Sequence, residues 1–295
     1  NGEYEFTNLV PGDYIVVFGT PAGFEPSPAN EGGDDTVDSD NVNGMTGVIT
    51  LESGETDETN DAGFFAPASL GDLVWLDTDA DGIYDPLTEE GIEGVTVTLT
   101  DENGAAVTDV DGNPVVATTT DADGLYEFTN LVPGDYIVTF GTPTGLTASP
   151  ANQGGDDTED SDAVNGMTGV INLESGENDP TNDAGFYATT SLGNLVWNDL
   201  DADGIYDPLT EEGIEGVTVT LTDENGDPVT DVNGDPVVAT TTDADGLYEF
   251  VDLVPGDYIV VFGTPAGFEP SPANEGGDDT VDSDNVNGMT GVITL

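Results

Sequence analysis

Every charged side chain in this sequence is an acid. Against 62 Asp and Glu residues, the 295 residues contain no Lys, Arg or His, and the net charge is −62. No internal salt bridge can form. Solvent cations, bound metal, backbone N–H groups and local dipoles are all that can offset the carboxylates. Wherever the fold gathers acids, it needs a cation: two unit charges about 4 Å apart repel by roughly 4 kcal/mol at an effective dielectric of about 20. The same composition excludes partners. Nucleic-acid binding needs Lys and Arg on phosphates, and docking on an anionic membrane needs them too. There is no cysteine, hence neither a disulfide framework nor a thiolate site. No apolar run is long enough to span a bilayer, so no direct membrane insertion is expected, and no signal peptide or sorting motif is found. High acidity can accompany disorder, but alternating Val, Ile, Tyr and Phe runs argue for strands.

The chain repeats itself. Gly2-Glu3-Tyr4-Glu5-Phe6 returns at Gly124 and at Gly246 with leucine in place of Glu3, and the offset from Tyr4 to Tyr126 is 122 residues. Residues 9–51 and 253–295 are identical. One period suits one β-sandwich of roughly 100 residues or slightly more. The expected units are 1–65, the back part of one repeat; 66–187, a complete one; and 188–295, which lacks a last strand. The joints Ala66-Pro67-Ala68 and Ala188-Thr189-Thr190 are short, so semi-rigid junctions are expected. The sequence opens and closes inside a repeat, and the native polypeptide is expected to continue on both sides.

Within the complete repeat, strands are expected at 70–76, 94–100, 115–120, 125–128, 135–140, 168–173 and 185–188, with Val95, Val97 and Leu99 facing inward. A long loop spans 141–165, and no convincing amphipathic helix appears. Trp75 and Trp197 read as core residues of the first strand rather than sugar-stacking platforms.

Between the first two strands lies Asp77-Thr78-Asp79-Ala80-Asp81-Gly82-Ile83-Tyr84-Asp85, running on to Glu89 and Glu90, and its copy is Asp199, Asp201, Asp203, Gly204, Ile205, Asp207, Glu211 and Glu212. Acids at positions 1, 3 and 5, glycine at 6, a backbone carbonyl at 7 (Ile83, Ile205) and an acid at 9 follow the spacing of an EF-hand calcium loop. Position 12, where that loop carries a bidentate Glu, is Thr88 and Thr210, and the glutamates come one and two places later. The flanks alternate with period two, so the reading is a calcium loop joining two strands. A solvated acidic turn is the alternative. A second acidic cluster, Asp34, Asp35, Asp38 and Asp40, recurs as Asp156, Asp157, Asp160 and Asp162 (with Glu159) and as Asp278, Asp279, Asp282 and Asp284. It has the oxygen donors for another calcium, without a known loop spacing; Asp61 or Asp183 are further possible donors, and a solvated loop is again the alternative. Asp121-Ala122-Asp123-Gly124 reads as a turn, its Asp capping backbone N–H groups.

Taken together, Ser-Leu-Gly-Asn-Leu-Val-Trp, Asp-x-Asp-x-Asp-Gly-Ile, Gly-Ile-Glu-Gly-Val-Thr-Val-Thr-Leu, Asp-Ala-Asp-Gly-Leu-Tyr-Glu-Phe, Leu-Val-Pro-Gly-Asp-Tyr and the closing Asn-Asp-Ala-Gly-Phe resemble the SdrD B-like repeat. That is the calcium-binding branch of the Cna-B-type, prealbumin-like sandwiches of bacterial surface proteins. The resemblance covers every repeat. It implies an all-β chain of tandem immunoglobulin-like or prealbumin-like β-sandwich domains with calcium-binding loops, acting as a structural stalk or filament at the cell surface, possible extender of an adhesin. The alternative is an adhesive module that binds glycan or protein through the long loop. Without lysine, the Lys–Asn cross-link of isopeptide-forming relatives is impossible. Expected partners are neighbouring repeats and other copies in a filament. Paired carboxylates could in principle hydrolyse glycosides, but near-identical sites in series without His or Lys argue against an enzyme.

Overall fold

The computed structural model describes residues 2–32, 34, 36–278 and 280–295. Among these there is no helix. The first repeat contributes β1 (Gly12–Tyr14), β2 (Glu25–Pro26), β3 (Ile49–Leu51) and β4 (Phe64–Phe65), paired as β1–β3 and β2–β4.

The complete repeat is built around β5 (Ala68–Leu76). It is followed by β6 (Glu90–Gly91), β7 (Thr96–Asp101), β8 (Thr118–Thr119), β9 (Leu125–Leu131), β10 (Gly134–Phe140), β11 (Leu146–Ala148), β12 (Ile171–Leu173), β13 (Asn178–Asp179) and β14 (Ala184–Ala188). One sheet runs β12-β10-β7-β8; the other runs β11-β14-β5-β13, with β6 and β9 also on β5. Over its first half β5 pairs antiparallel with β9 (Leu70 opposite Phe128) and parallel with β13. Over its second half it pairs antiparallel with β6 and parallel with β14 (Trp75 opposite Gly185). Period-two alternation aims Leu70, Val74, Tyr126, Phe128 and Phe186 at Val97, Leu99, Tyr136, Val138 and Phe140 of the other sheet, which together form one buried core. In each Pro-Gly-Asp-Tyr segment the tyrosine hydroxyl donates to the carbonyl four residues back, as Tyr136 does to Val132 at 2.5 Å, fixing the turn into the strand.

The third repeat, β15 (Thr190–Leu195), β16 (Thr218–Asp223), β17 (Thr240–Thr241), β18 (Leu247–Leu253), β19 (Asp257–Phe262) and β20 (Ile293–Thr294), pairs as β15–β18 and β17-β16-β19-β20. Its core is smaller, and Trp197 is half-buried where Trp75 is fully buried. The described residues are thus all-β, and in the complete repeat the two sheets pack as a sandwich.

Several sequence expectations shift in detail: the strand expected at 168–173 is strand only at Ile171–Leu173, and that expected at 94–100 runs from Thr96 to Asp101. The segment 115–120 is strand only at Thr118–Thr119, because Val116 is 73% exposed and Val115 bonds Val107 across a turn. The strand expected at 125–128 extends to Leu131, and the long loop contains β11. Turn 121–124 is as expected: Asp121 Oδ1 accepts from the amides of Asp123 and Leu125 at 2.9 Å each.

Candidate metal centre

The loop after β5 begins with a carboxylate placed by the sheet. The Asp77 amide donates to the Phe186 carbonyl of β14 (3.0 Å), so the residue is fixed between first and last strands. Its side chain is completely buried. Oδ2 accepts from the Gly82 amide (2.9 Å), while Oδ1 is buried without a hydrogen-bond partner. Ala80 (φ 58°) and Gly82 (φ 79°) take left-handed conformations that curl the loop over it. Asp81 Oδ1 accepts from the Ile83 amide at 2.7 Å. The result is that one oxygen each from Asp77, Asp79 and Asp81 lies within 4.8 Å of the others. Burial first, then the neighbouring Asp81, raise the Asp79 pKa above the ordinary carboxylate value.

The copy holds Asp199, Asp201 and Asp203 in the same grouping. Asp203 beside it is the main reason the Asp201 pKa is raised. Burial works to raise Asp199, but hydrogen bonds from Ser271 and from the Gly204 and Ala202 amides outweigh it, and the pKa is lowered. In the complete repeat the equivalent hydroxyl, Ser149 Oγ, is buried and has no partner.

A second acidic loop is zipped onto the first. Ile83 and Asp160 form an antiparallel bridge, the Tyr84 amide donates to Glu159 (2.6 Å), and the Ser161 amide donates to Gly82 (3.0 Å). Asp157, Asp160 and Asp162 also bring one oxygen each within 4.8 Å of one another. Asp160 is buried with Oδ1 unpartnered. Asp162 and Asp183 are tied reciprocally, each amide donating to the other residue (2.9 and 2.8 Å). Asp183 Oδ1 accepts from the Leu73 amide (2.8 Å), and its Oδ2 is buried and unpartnered. Burial is the chief cause that pushes Asp162 up to about 7 and Asp183 up to about 9; the acids around them add to it.

Such sites could hold a metal ion. The donors are oxygens only, with no imidazole or thiolate in the chain, which suits a hard cation. Buried carboxylate oxygens without donors are the atoms an ion would satisfy.

The model of the SdrD B-like domain matches residues 1–64, 68–186 and 190–295. The chain belongs to the SdrD B-like family. It is 42% identical over 300 residues to serine-aspartate repeat-containing protein F of Staphylococcus epidermidis, covering 99% of this chain and 16% of that protein. It is 43% identical over 296 residues to serine-aspartate repeat-containing protein D of Staphylococcus aureus strain Newman, covering 99% of this chain and 20% of that one. Among solved structures it is similar to the Bacillus anthracis TIE protein (TM-score 0.31, 18% identity, 94% of this chain and 40% of that chain). It is also similar to a streptococcal ancillary pilin (TM-score 0.30, 16% identity, 90% and 74%). SdrD B-like repeats are structural domains, not enzymes.

In these SdrD B-like repeats the remaining expected ligands occupy several positions. Glu89 is buried, and its oxygens accept from the amides of Thr78 (2.7 Å) and Asp85 (2.9 Å), clamping the loop ends together. Glu211 does the same for Leu200 (2.8 Å) and Asp207 (2.9 Å). Asp85 and Asp207 cap the amides of Leu87 and Leu209, and Glu90 and Glu212 are exposed. Ile83 and Ile205 sit at the bridge to the second loop. Asp34, Asp156 and Asp278 each turn to the following threonine, two residues on, rather than into a cluster. Asp40 Oδ2 accepts from the Asp61 amide (2.8 Å), the counterpart of the Asp162–Asp183 tie. Asp38 and Asp282 are half-buried and Asp284 is exposed. Asp35 and Asp279, the equivalents of Asp157, lie outside the described residues. The clamping role of Glu89 and Glu211 and the buried Ser149 hydroxyl are not signalled by spacing in the sequence.

Proposed function

We propose that this run of SdrD B-like repeats is an extracellular structural stalk whose units, 1–65, 66–187 and 188–295, are stiffened by calcium. The observation that carries the reading is the pair of buried, donor-less carboxylate oxygens, Asp77 Oδ1 and Asp160 Oδ1, in two acidic loops bonded to one another. Asp77, Asp79 and Asp81 form the first calcium site of the complete repeat and Asp199, Asp201 and Asp203 its copy, with the Ile83 and Ile205 carbonyls and Asp85 and Asp207 as further donors. Asp157, Asp160 and Asp162, with Asp183, form the second. Calcium would let these acids stay ionised while buried. It would also tie the last strand, which leads directly into the next repeat through Ala188-Thr189-Thr190, to the loops of its own sandwich.

An extracellular setting supplies the ion at the concentrations such modules use, with Kd near 10⁻⁴–10⁻³ M. The test is thermal unfolding by circular dichroism in EDTA, in millimolar calcium and in sodium at equal ionic strength. The expected result is a transition that calcium raises and sodium does not. One unfolding temperature in all three would sink the calcium assignment.

A further inference from the structure

We propose that the outer face of the sheet containing β10 is a contact surface for a second copy of this chain, and that it recurs in every repeat. In the complete repeat β10 sends Tyr136, Val138 and Phe140 into the core, so Ile137 and Thr139 point outward, half-buried. Thr139 stands opposite Met167, and Met167 opposite Val164 across the tight Asn165-Gly166 turn, where both residues have positive φ. Residues directly opposite in a ladder share a face, so Thr139, Met167 and Val164 lie together. Ile171 packs on the core, and alternation turns Val170 outward. Met167 is 48% exposed, Val170 57% and Val164 58%.

The same face appears in the other two repeats. Met45 bridges Val42 and Val17, and Met289 bridges Val286 and Val261, as Met167 bridges Val164 and Thr139. Val48 and Val292, the counterparts of Val170, are 66% and 54% exposed. Single exposed apolar residues are ordinary, but a cluster left in water at one place in three successive repeats marks a contact surface.

Charge and spacing select the partner. Residues 136–155 and 163–173 contain no acid, although the chain has 62. Asp135, at the border of the face, accepts from Asn172 Nδ2 at 2.6 Å. Two copies with a net charge of −62 repel over most of their surface, and an acid-free face is where they approach at least cost. One patch of at most a few hundred Å² falls short of the roughly 800 Å² per partner that a stable interface buries. Patches in series make up the difference, and a partner that meets them all needs matching patches at the same interval. A second copy of the chain has them. The face includes none of the carboxylates proposed to hold calcium.

The experiment is sedimentation velocity of the 295-residue chain over a range of concentrations, in millimolar calcium, at low and at moderate sodium chloride. A reversible self-association is expected, and it should strengthen as salt screens the acids. Val170→Glu, which places an unpaired charge in the contact, should weaken it about tenfold. Val48→Glu, Val170→Glu and Val292→Glu together should abolish it. Val170→Thr with Val292→Thr keeps the β-branched shape, should weaken association in the same direction, and serves if the glutamates lower the melting temperature. Val251→Glu is the control: Val251 is 53% exposed but lies on β18 in the other sheet, so association should be unchanged. A chain that stays monomeric throughout, association that salt weakens, indifference to the substitutions on the face, or an equal loss with Val251→Glu would each overturn the proposal.

Discussion

Gly82 shows how much of the centre depends on single positions. Its φ is +79°, and a Cβ built there would fall 2.1 Å from the Pro150 carbonyl oxygen. Gly104 has the same φ of +79° but nothing within 4 Å. Gly82→Ala is therefore expected to cost about 2 kcal/mol or more and to part the two acidic loops, while Gly104→Ala carries only backbone strain. Calcium-dependent melting of the two variants checks this; equal losses would mean the loops are not held through Gly82.

A pH dependence belongs to the same scale. Folding raises Asp162 to about 7 and Asp183 to about 9, chiefly by burial. A raised folded pKa means that the folded state holds the proton more tightly. That stability is fully present below about pH 4, the unfolded value, and is lost as pH rises through the folded values. Metal-free protein should thus melt lower as pH climbs from about 4 towards 9, and calcium, which favours the ionised carboxylates, should flatten or reverse the trend. A metal-free melting temperature that rises over this range would contradict the burial of these two groups.

The acids at 77, 79 and 81 and the glycine at 82 are legible in the sequence because their spacing is local. Asp183 could be named there as a further donor but not placed, since its bond to the Leu73 amide spans 110 residues and exists only once the strands are in register.

At the level of elements, the parallel pairing of β14 on β5 decides the site. It places the Phe186 carbonyl on the Asp77 amide and Asp183 beside Leu73. Alternation of apolar residues located β5, β7, β9 and β10, because each has one face on the core. It could not order them in sheets, and it overstated 115–120, where Val115-Val116 is apolar but lies over a turn. Phe186 joins core and loop: its side chain is wholly buried and its carbonyl holds Asp77. Phe186→Ala should cost about 3–5 kcal/mol and also weaken calcium binding, since β14 would no longer hold the start of the loop. Calorimetric calcium titration below the melting point of the variant tests the coupling; unchanged affinity would separate the core from the site.

Across the whole molecule, the joints and the charge set the behaviour. Ala66 has both backbone groups engaged, its amide with Ser175 Oγ (2.9 Å) and its carbonyl with the Gly176 amide (3.0 Å), and Pro67 fixes the next φ. A junction gripped this way follows the sandwich it enters, so calcium held within a repeat, as proposed above, would act on the array as well. With 62 acids and no basic residue, each unit is also strained by its own repulsion until cations bind.

These two effects can be separated in the third repeat by Asp199→Asn, Asp201→Asn and Asp203→Asn together. The substitution removes both the proposed ion site and three mutually repelling charges. In EDTA the variant's third unit should be as stable as the parent's, or more so. In calcium at about tenfold over Kd it should lack the increment of about 1.4 kcal/mol that one site adds, roughly 5–10 °C for a unit of this size. The second repeat, whose own trio is untouched, should keep its calcium response. Differential scanning calorimetry with and without calcium resolves the two transitions. If the variant's third unit gains as much from calcium as the parent's, Asp199, Asp201 and Asp203 are a solvated acidic turn rather than a calcium loop.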